Sequence, residues 1–492
     1  MNPFTARVIE DALSRSGELR SSGSGMPEVF TDITDDSRRV TRGSLFVAVR
    51  GSTSDGHDYL DAAARAGALG AVLEDPSRTS LPAFVVVDGR RAAAVAARAA
   101  FGEPAAELAM VGVTGTNGKT TTVGLLRHLL HDESTPAASI GTLGVLRGSE
   151  GEVVPGGSGL TTPGVVELQR VLRQLVDDGI SRVAMEVSSH SLDQRRVDGV
   201  TFRVGVFTNI TRDHLDYHQT MEAYIAAKAR LVEYIADDGV DVVNADDKVW
   251  DVLPVRRRRV TFSMTYPADV TATGISWTSR GSIWTLSAGN QRASVMLPLL
   301  GAFNVSNALA AAAAAWSLGE RVGSIAERLS SSPQVLGRLE RLLERPAVLR
   351  DYAHTPDALS RAIAAVRPFA RGRLIVVFGC GGDRDRGKRR QMGAIAEAKA
   401  DHVILTSDNP RTEDPERILD DIEAGMQRTN HERIEDRRAA IARALAVAQP
   451  NDLVLLAGKG HETYQVRGTT SLPFDERVIV HELAAPHSVI PS

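Results

Sequence analysis

One cysteine, Cys380, stands among 492 residues, so no intramolecular disulfide can form and the composition fits a reducing compartment. Charge of one sign is not in excess: 57 Lys and Arg against 61 Asp and Glu leave a net charge of -4. Such a field would draw neither a nucleic acid nor an anionic membrane surface, although a local basic site for a phosphate stays open. Long hydrophobic runs are missing. Nothing approaches the ~20 apolar residues that span a bilayer, and the run Ala308–Ala315 is short. The opening MNPFTARVIEDALSRSG scatters charges where a signal peptide needs an apolar stretch. These absences predict a cytoplasmic protein with no nucleic-acid partner and no membrane insertion. A monomer is the default expectation.

The chain is too long for one hydrophobic core, and its 43% hydrophobic and 24% charged residues are ordinary for globular domains. Three domains are expected at 1–106, 107–336 and 337–492. In the first, β-like runs at Leu45–Val49 and Ala83–Val87 precede an Ala-rich helix over Arg90–Phe101, and Gly102-Glu-Pro-Ala reads as a linker. The second alternates buried-type strands (Ala109–Thr114, Arg182–Val187, Val204–Thr208, Val240–Val243) with helices, which implies a parallel sheet covered on both faces. Its end, 260–297, suggests a small antiparallel patch. The third repeats the alternation at Ala347–Tyr352, Leu374–Phe378, His402–Thr406 and Leu453–Ala457. The fold class is α/β, with a P-loop-type central sheet and a Rossmann-like C-terminal domain. The run Arg256–Arg259 reads as a solvated loop.

Gly115-Thr116-Asn117-Gly118-Lys119-Thr120-Thr121 lies between an apolar strand and a helix. Glycines let successive N–H groups face one point, and the helix N-terminus adds positive potential there. Lys119 suits the β- and γ-phosphates of ATP, and Thr120 can offer its hydroxyl to Mg2+. Val113 stands where a strict P-loop has glycine, so the motif is a shortened variant.

That variant resembles the phosphate loop of the Mur ligases and folylpolyglutamate synthetases. Further stretches resemble the Mur ligase family in particular: Glu186-Val-Ser-Ser-His190 running to Gln194 and Arg196, Thr208-Asn-Ile-Thr-Arg-Asp-His214-Leu-Asp216, Tyr224-Ile-Ala-Ala-Lys228, Phe303-Asn304-Val-Ser-Asn307, Asp351-Tyr-Ala-His354-Thr-Pro-Asp357, Ser407-Asp408-Asn409-Pro410-Arg411 and Gly458-Lys459-Gly460-His461-Glu462. The match spans all three blocks. It implies an ATP-dependent ligase that activates a carboxylate as an acyl phosphate and transfers it to an amine. The implied acceptor is the D-Glu carboxylate of UDP-N-acetylmuramoyl-L-Ala-D-Glu, and the amine comes from a diamino acid, as in peptidoglycan synthesis.

The resemblance also implies the site. Mg2+ falls to Thr120, Glu186, His214 and Lys228, the last as a carbamate formed with CO2. Read alone, Lys228 is an ordinary exposed helix lysine. Lys119, Glu186, His214 and Lys228 form the catalytic set. Asn304, Asn307, Arg338 and Asp351 join the phosphate loop in holding ATP. Ser37, Ser52, Thr53, Ser54, Thr161, Thr162, Ser188, Gln194 and Arg196 are implied for the UDP-sugar peptide, in an N-terminal UDP-sugar-binding domain and beside it. Arg384, Asp408, Asn409, Pro410, Arg411, Gly458 and Glu462 are implied for the incoming amino acid. Two guanidinium groups and two carboxylates favour meso-diaminopimelate, whose far end is zwitterionic, over lysine or ornithine, because a buried Arg would go unpaired against an amine alone. Three other readings compete: a folylpolyglutamate-type ligase, a nucleoside-phosphate kinase, and an ATP-binding regulator that has lost catalysis. The first block, Thr161-Thr162-Pro163 and Asp408-Asn409-Pro410-Arg411 argue against the first, the third block against the second, and the intact Lys119, Glu186, His214 and Lys228 against the last.

Overall fold

The computed structural model describes residues 3–51, 54–156, 159–255 and 257–484. Among these, three large sheets form in chain order, of five, eleven and six strands. The five-stranded sheet runs Leu19–Ser22, Ala83–Val86, Gly70–Leu73, Ser44–Val47, Asp32–Thr34, and only its first strand is antiparallel. Helix Gly89–Ala100 buries seven residues against its neighbours, six of them alanines. The turn Pro104–Glu107 leads into the next sheet.

Seven strands of the central sheet are mutually parallel: Ala137–Gly141, Arg182–Glu186, Ala109–Thr114, Phe202–Phe207, Ile235–Asn244, Arg258–Ser263 and Val270–Thr278. The first five are buried along most of their length on both faces, as parallel sheets require, whereas Val270–Thr278 is largely exposed. Helix Ala302–Ser317 lies on one face with every residue from Ala308 to Ala315 buried. Small side chains let it pack closely against helix Lys119–Leu130 and the strands beneath.

The stretch 260–297 ends in the expected antiparallel patch, formed by Val270–Thr278, Gly281–Ala288 and Gln291–Leu297. Arg258–Ser263 joins that patch in parallel to the rest of the central sheet. One expectation is corrected: the arginine run is not a solvated loop. Arg257 and Arg259 approach the fully buried Asp241 at 3.9 and 3.8 Å, and Arg257 also donates to the Ile235 carbonyl. Arg256 lies outside the described residues.

In the third sheet Ala347–Asp351, Leu453–Ala457, Leu374–Phe378, His402–Leu405 and His431–Arg433 are parallel, edged by the antiparallel Glu340–Glu344. Loops at the C-terminal ends of parallel strands are where open α/β sheets bind ligands. Two bonds join the central and third sheets at those ends: Arg338 Nη2 donates to Thr120 Oγ1 at 3.0 Å, and Asn117 Nδ2 to Asp357 Oδ2 at 3.4 Å. No helix among the described residues is long and apolar enough to cross a membrane.

Candidate active site

The phosphate loop follows the buried strand Ala109–Thr114. Gly118 has φ +88°, and a Cβ there would stand 2.2 Å from Asn307 Oδ1, so both backbone shape and space demand glycine. Asn209 braces the loop by accepting from the N–H groups of Thr116 (2.7 Å) and Asn117 (3.0 Å). The Thr116 hydroxyl binds the Thr211 carbonyl and the Tyr224 hydroxyl, so it holds the loop rather than facing a ligand. Lys119 Nζ folds back onto the carbonyls of Gly115 and Thr116, each at 2.9 Å.

A cavity of about 730 Å³ opens beside the loop. Asn117, Gly118, Thr120, Thr121, Asn307, Arg338 and Asp351 line its polar side, and Phe303, Ala365 and Phe369 its apolar side. Asn304 is not on the wall. It stands behind Asn307, donating to the Leu300 carbonyl and accepting from Asn307 Nδ2 at 3.1 Å. Burial raises the Asp351 carboxyl from the usual carboxylate range to about 6, although it accepts from the Leu339 N–H at 2.7 Å.

Glu186 ends its strand 1% exposed and accepts from the backbone N–H and hydroxyl of Thr142. It shares the wall of a small cavity with Thr120. Lys228 overturns the exposed-lysine reading. It is 1% exposed on helix Met221–Ala229, its Nζ donates to the Gly115 carbonyl at 2.7 Å, and it lies 4.8 Å from the centre of the Tyr224 ring. Burial, reinforced by the Lys119 charge, pushes its ammonium well below the ordinary lysine range. His214 sits in the left-handed region at φ +53°, its Nε2 3.3 Å from Asp213 Oδ2 and its ring edge-on to His190.

One network ties the substrate-side residues together. Thr162 Oγ1 donates to the Glu186 carbonyl and accepts from the Ser188 N–H. Arg196 donates to Gln194 Oε1 through Nε and to the Thr162 carbonyl through Nη1. Thr161 meets Thr142 at 3.1 Å. Arg90 connects this network to the first sheet by donating to the carbonyls of Gln194 and Arg50. Ser37, in the turn Ser37–Arg39, and the exposed Ser54 share no hydrogen bond with it among the described residues. Ser52 and Thr53 lie outside the described residues.

A second cavity of about 520 Å³ lies between the central and third sheets. His190, Asp213 and His214 face it from one side; Arg384, Asp408, Asn409, Arg411, Gly458 and Glu462 face it from the other. Pro410 turns the loop without lining the cavity. The arginines are less buried than the sequence argument assumed: Arg411 is half-buried, with Nη1 donating to the Gly382 carbonyl at 2.8 Å, and Arg384 is exposed. Lys459 was assigned no role by sequence, yet it is fully buried beneath this wall. Its position between two glycines after a buried strand was the available signal.

Three family models match the chain: the Mur ligase family catalytic domain over residues 30–117, the Mur ligase middle domain over 113–315, and the Mur ligase glutamate ligase domain over 337–460. The UDP-N-acetylmuramoyl-L-alanyl-D-glutamate--2,6-diaminopimelate ligase of Synechococcus elongatus is 43% identical over 474 residues, covering 93% of this chain and 95% of its own. That of Xylella fastidiosa is 45% identical over 474 residues, with 94% and 95% covered. A solved structure of a ligase of that name superposes with a TM-score of 0.64 at 34% identity, covering 93% of this chain and 95% of the other. A Mur-type ligase from Thermotoga maritima shares the fold at TM-score 0.66 and 21% identity, with 92% and 96% covered. This chain belongs to the Mur ligase family and is an ATP-dependent amide-bond-forming ligase.

Proposed function

We propose that the protein joins meso-diaminopimelate to the D-Glu carboxylate of UDP-N-acetylmuramoyl-L-Ala-D-Glu, a step of peptidoglycan synthesis. The observation that carries this reading is the second cavity, where both charge signs, from Arg384, Arg411, Asp408 and Glu462, share one wall. The far end of diaminopimelate carries a carboxylate and an ammonium, and such a wall can pair both. The relatives named above supply the substrate names.

The carboxylate oxygen attacks the γ-phosphorus of ATP and ADP leaves. The amine nitrogen then attacks the acyl carbon, phosphate departs, and the nitrogen loses its proton. Phosphoryl transfer of this kind depends on positioning and charge neutralisation. On ATP binding Lys119 would exchange the carbonyls of Gly115 and Thr116 for phosphate oxygens. Gly115, Gly118 and Thr121 shape the loop, Asn307, Arg338 and Asp351 hold the rest of the nucleotide, and Asn304 positions Asn307. Thr161, Thr162, Ser188, Gln194 and Arg196 hold the acceptor peptide. Ser37, Ser52, Thr53 and Ser54 take the UDP-sugar.

Among the described residues no three His, Cys, Asp or Glu side chains gather as a ready cation site. Mg2+ needs no such cage, since it is commonly held by one or two carboxylates together with substrate phosphates. Thr120 and Glu186, on one cavity wall, fit that role. A bare Lys228 ammonium would repel a cation, so its carbamate with CO2 is the form that, with His214, suits a second Mg2+. Bound Mg2+ would neutralise phosphate charge. We place the enzyme in the cytoplasm as a monomer. Sustained phosphate release that requires both the UDP-peptide and a diamino acid is the expected result; sustained release with the amine or the peptide alone would count against the reading.

A further inference from the structure

The third sheet ends its strand Leu453–Ala457 in Gly458-Lys459-Gly460, with φ of +116° and +52° at the two glycines. That curl turns the Lys459 side chain inward, where it is fully buried. Its Nζ reaches three acceptors: Glu462 Oε2 at 3.0 Å, Asn409 Oδ1 at 3.1 Å and Asp408 Oδ1 at 3.4 Å. The same groups are cross-tied. Asn409 Nδ2 donates to Glu462 Oε2 at 2.8 Å, and Asn409 Oδ1 also accepts from the Val466 N–H at 2.9 Å. Gln465 Nε2 holds the Asp408 carbonyl at 2.9 Å. The Asp408–Glu462 corner of the second cavity is therefore a closed knot with an ammonium at its centre.

The charge count of this knot is informative. Two carboxylates and one ammonium leave one net negative charge facing the cavity. Arg411 and Arg384 stand on the same wall and are available for carboxylate. A ligand end with one ammonium and one carboxylate matches this arrangement. A ligand end with an ammonium alone leaves a guanidinium without an anion. Removal of the Lys459 charge would leave two negative charges, which a purely cationic end satisfies better.

We infer that Lys459 is a specificity-determining positioning residue: by neutralising one of the two carboxylates of this knot from behind, it sets the amine pocket to a zwitterionic rather than a cationic ligand end. This rests on the proposed function, because it concerns the amino acid used at that site. The test is a selectivity ratio, kcat/KM for meso-diaminopimelate over kcat/KM for L-lysine, in wild type, Lys459→Met and Lys459→Arg. A ratio within one preparation is insensitive to the fraction of folded enzyme. Lys459→Met is expected to lower the ratio by about tenfold or more, and Lys459→Arg to recover most of it, because the discrimination comes from charge pairing. An unchanged ratio in Lys459→Met overturns the inference. So does a Lys459→Met protein that is inactive with both amines yet still forms hydroxamate from ATP, UDP-peptide and hydroxylamine, since the residue would then be a structural cross-link only. If Lys459→Met does not fold, a Lys459→Arg ratio shifted as far as tenfold overturns it, and a ratio near wild type supports it. A wild type that uses neither amine while still trapping hydroxamate would instead remove the proposed amino acid, and the inference with it.

Discussion

Lys228 is a buried amine whose only hydrogen-bond acceptor among the described residues is the Gly115 carbonyl. An unpaired buried ammonium is costly, so the neutral amine is favoured, and a neutral amine is the form that reacts with CO2. Enzyme equilibrated with 13C-bicarbonate should show a lysine carbamate resonance that Lys228→Ala lacks. The same substitution should lower kcat on the order of 100-fold, with partial recovery on adding a small carboxylate. Near-normal turnover would contradict the role. Asp351 gives a pH prediction. Its carboxyl titrates at about 6, so it is an anion at pH 8 and largely protonated at pH 5. The KM for ATP should rise as pH falls through 6. Asp351→Asn should have a high KM at pH 8 that no longer varies across that range. The phosphate loop was legible at this scale because strand, glycines, lysine and helix follow one another in the chain. The burial of Lys228 was not. Its one readable sign was Tyr224 four residues earlier, which puts both side chains on one helix face.

Helices Arg437–Val447 and Glu476–Ala484 are joined by an ion pair in which both side chains are fully buried, at 2.8 Å. Arg437 Nη2 also donates to the Ala457 carbonyl, immediately before Gly458. Arg437→Leu would strand the Glu476 carboxylate and should cost about 3–5 kcal/mol in denaturant unfolding. The double variant with Glu476→Leu should recover most of that loss. A single substitution costing under about 1 kcal/mol would show that the carboxylate takes up a proton or reaches water instead. A second element link has a pH signature. Arg389, fully buried on helix Gly387–Lys399, pairs with Glu413 and Asp421, and its bonds hold the Glu413 carboxyl down at about 2 against an ordinary 4.5. This pair contributes stability above pH 4.5 that is lost as pH falls from 4.5 towards 2. Glu413→Gln should flatten that part of the Tm-against-pH curve. The buried strands of both parallel sheets were legible from their apolar runs. At the end of the central sheet the antiparallel strands were legible but their junction with the large sheet was not, because Thr- and Ser-rich strands at an edge look alike whether or not a large sheet continues into them. The arginine run misled for a related reason: its partner, Asp241, lies on the neighbouring strand.

At the scale of the whole molecule, the site is the meeting of two sheet edges, joined by the Arg338–Thr120 and Asn117–Asp357 bonds. Motif order along the chain announced the family, but which residues share a wall depends on how those edges face. Asp213 and His214 sit opposite Asp408 and Glu462 across one cavity, nearly two hundred residues apart in sequence or more. Arg338→Ala should therefore raise the KM for the amine as well as for ATP, since it ties the third sheet to the phosphate loop; steady-state kinetics varying each substrate separate the two. The central claim is the identity of the amine. Purified protein would be incubated with ATP, Mg2+ and UDP-N-acetylmuramoyl-L-Ala-D-Glu, with meso-diaminopimelate, lysine or ornithine offered singly, and products read by mass spectrometry. A tripeptide product with diaminopimelate, and little or none with the other two, is the predicted result. Product with lysine or ornithine alone would contradict it.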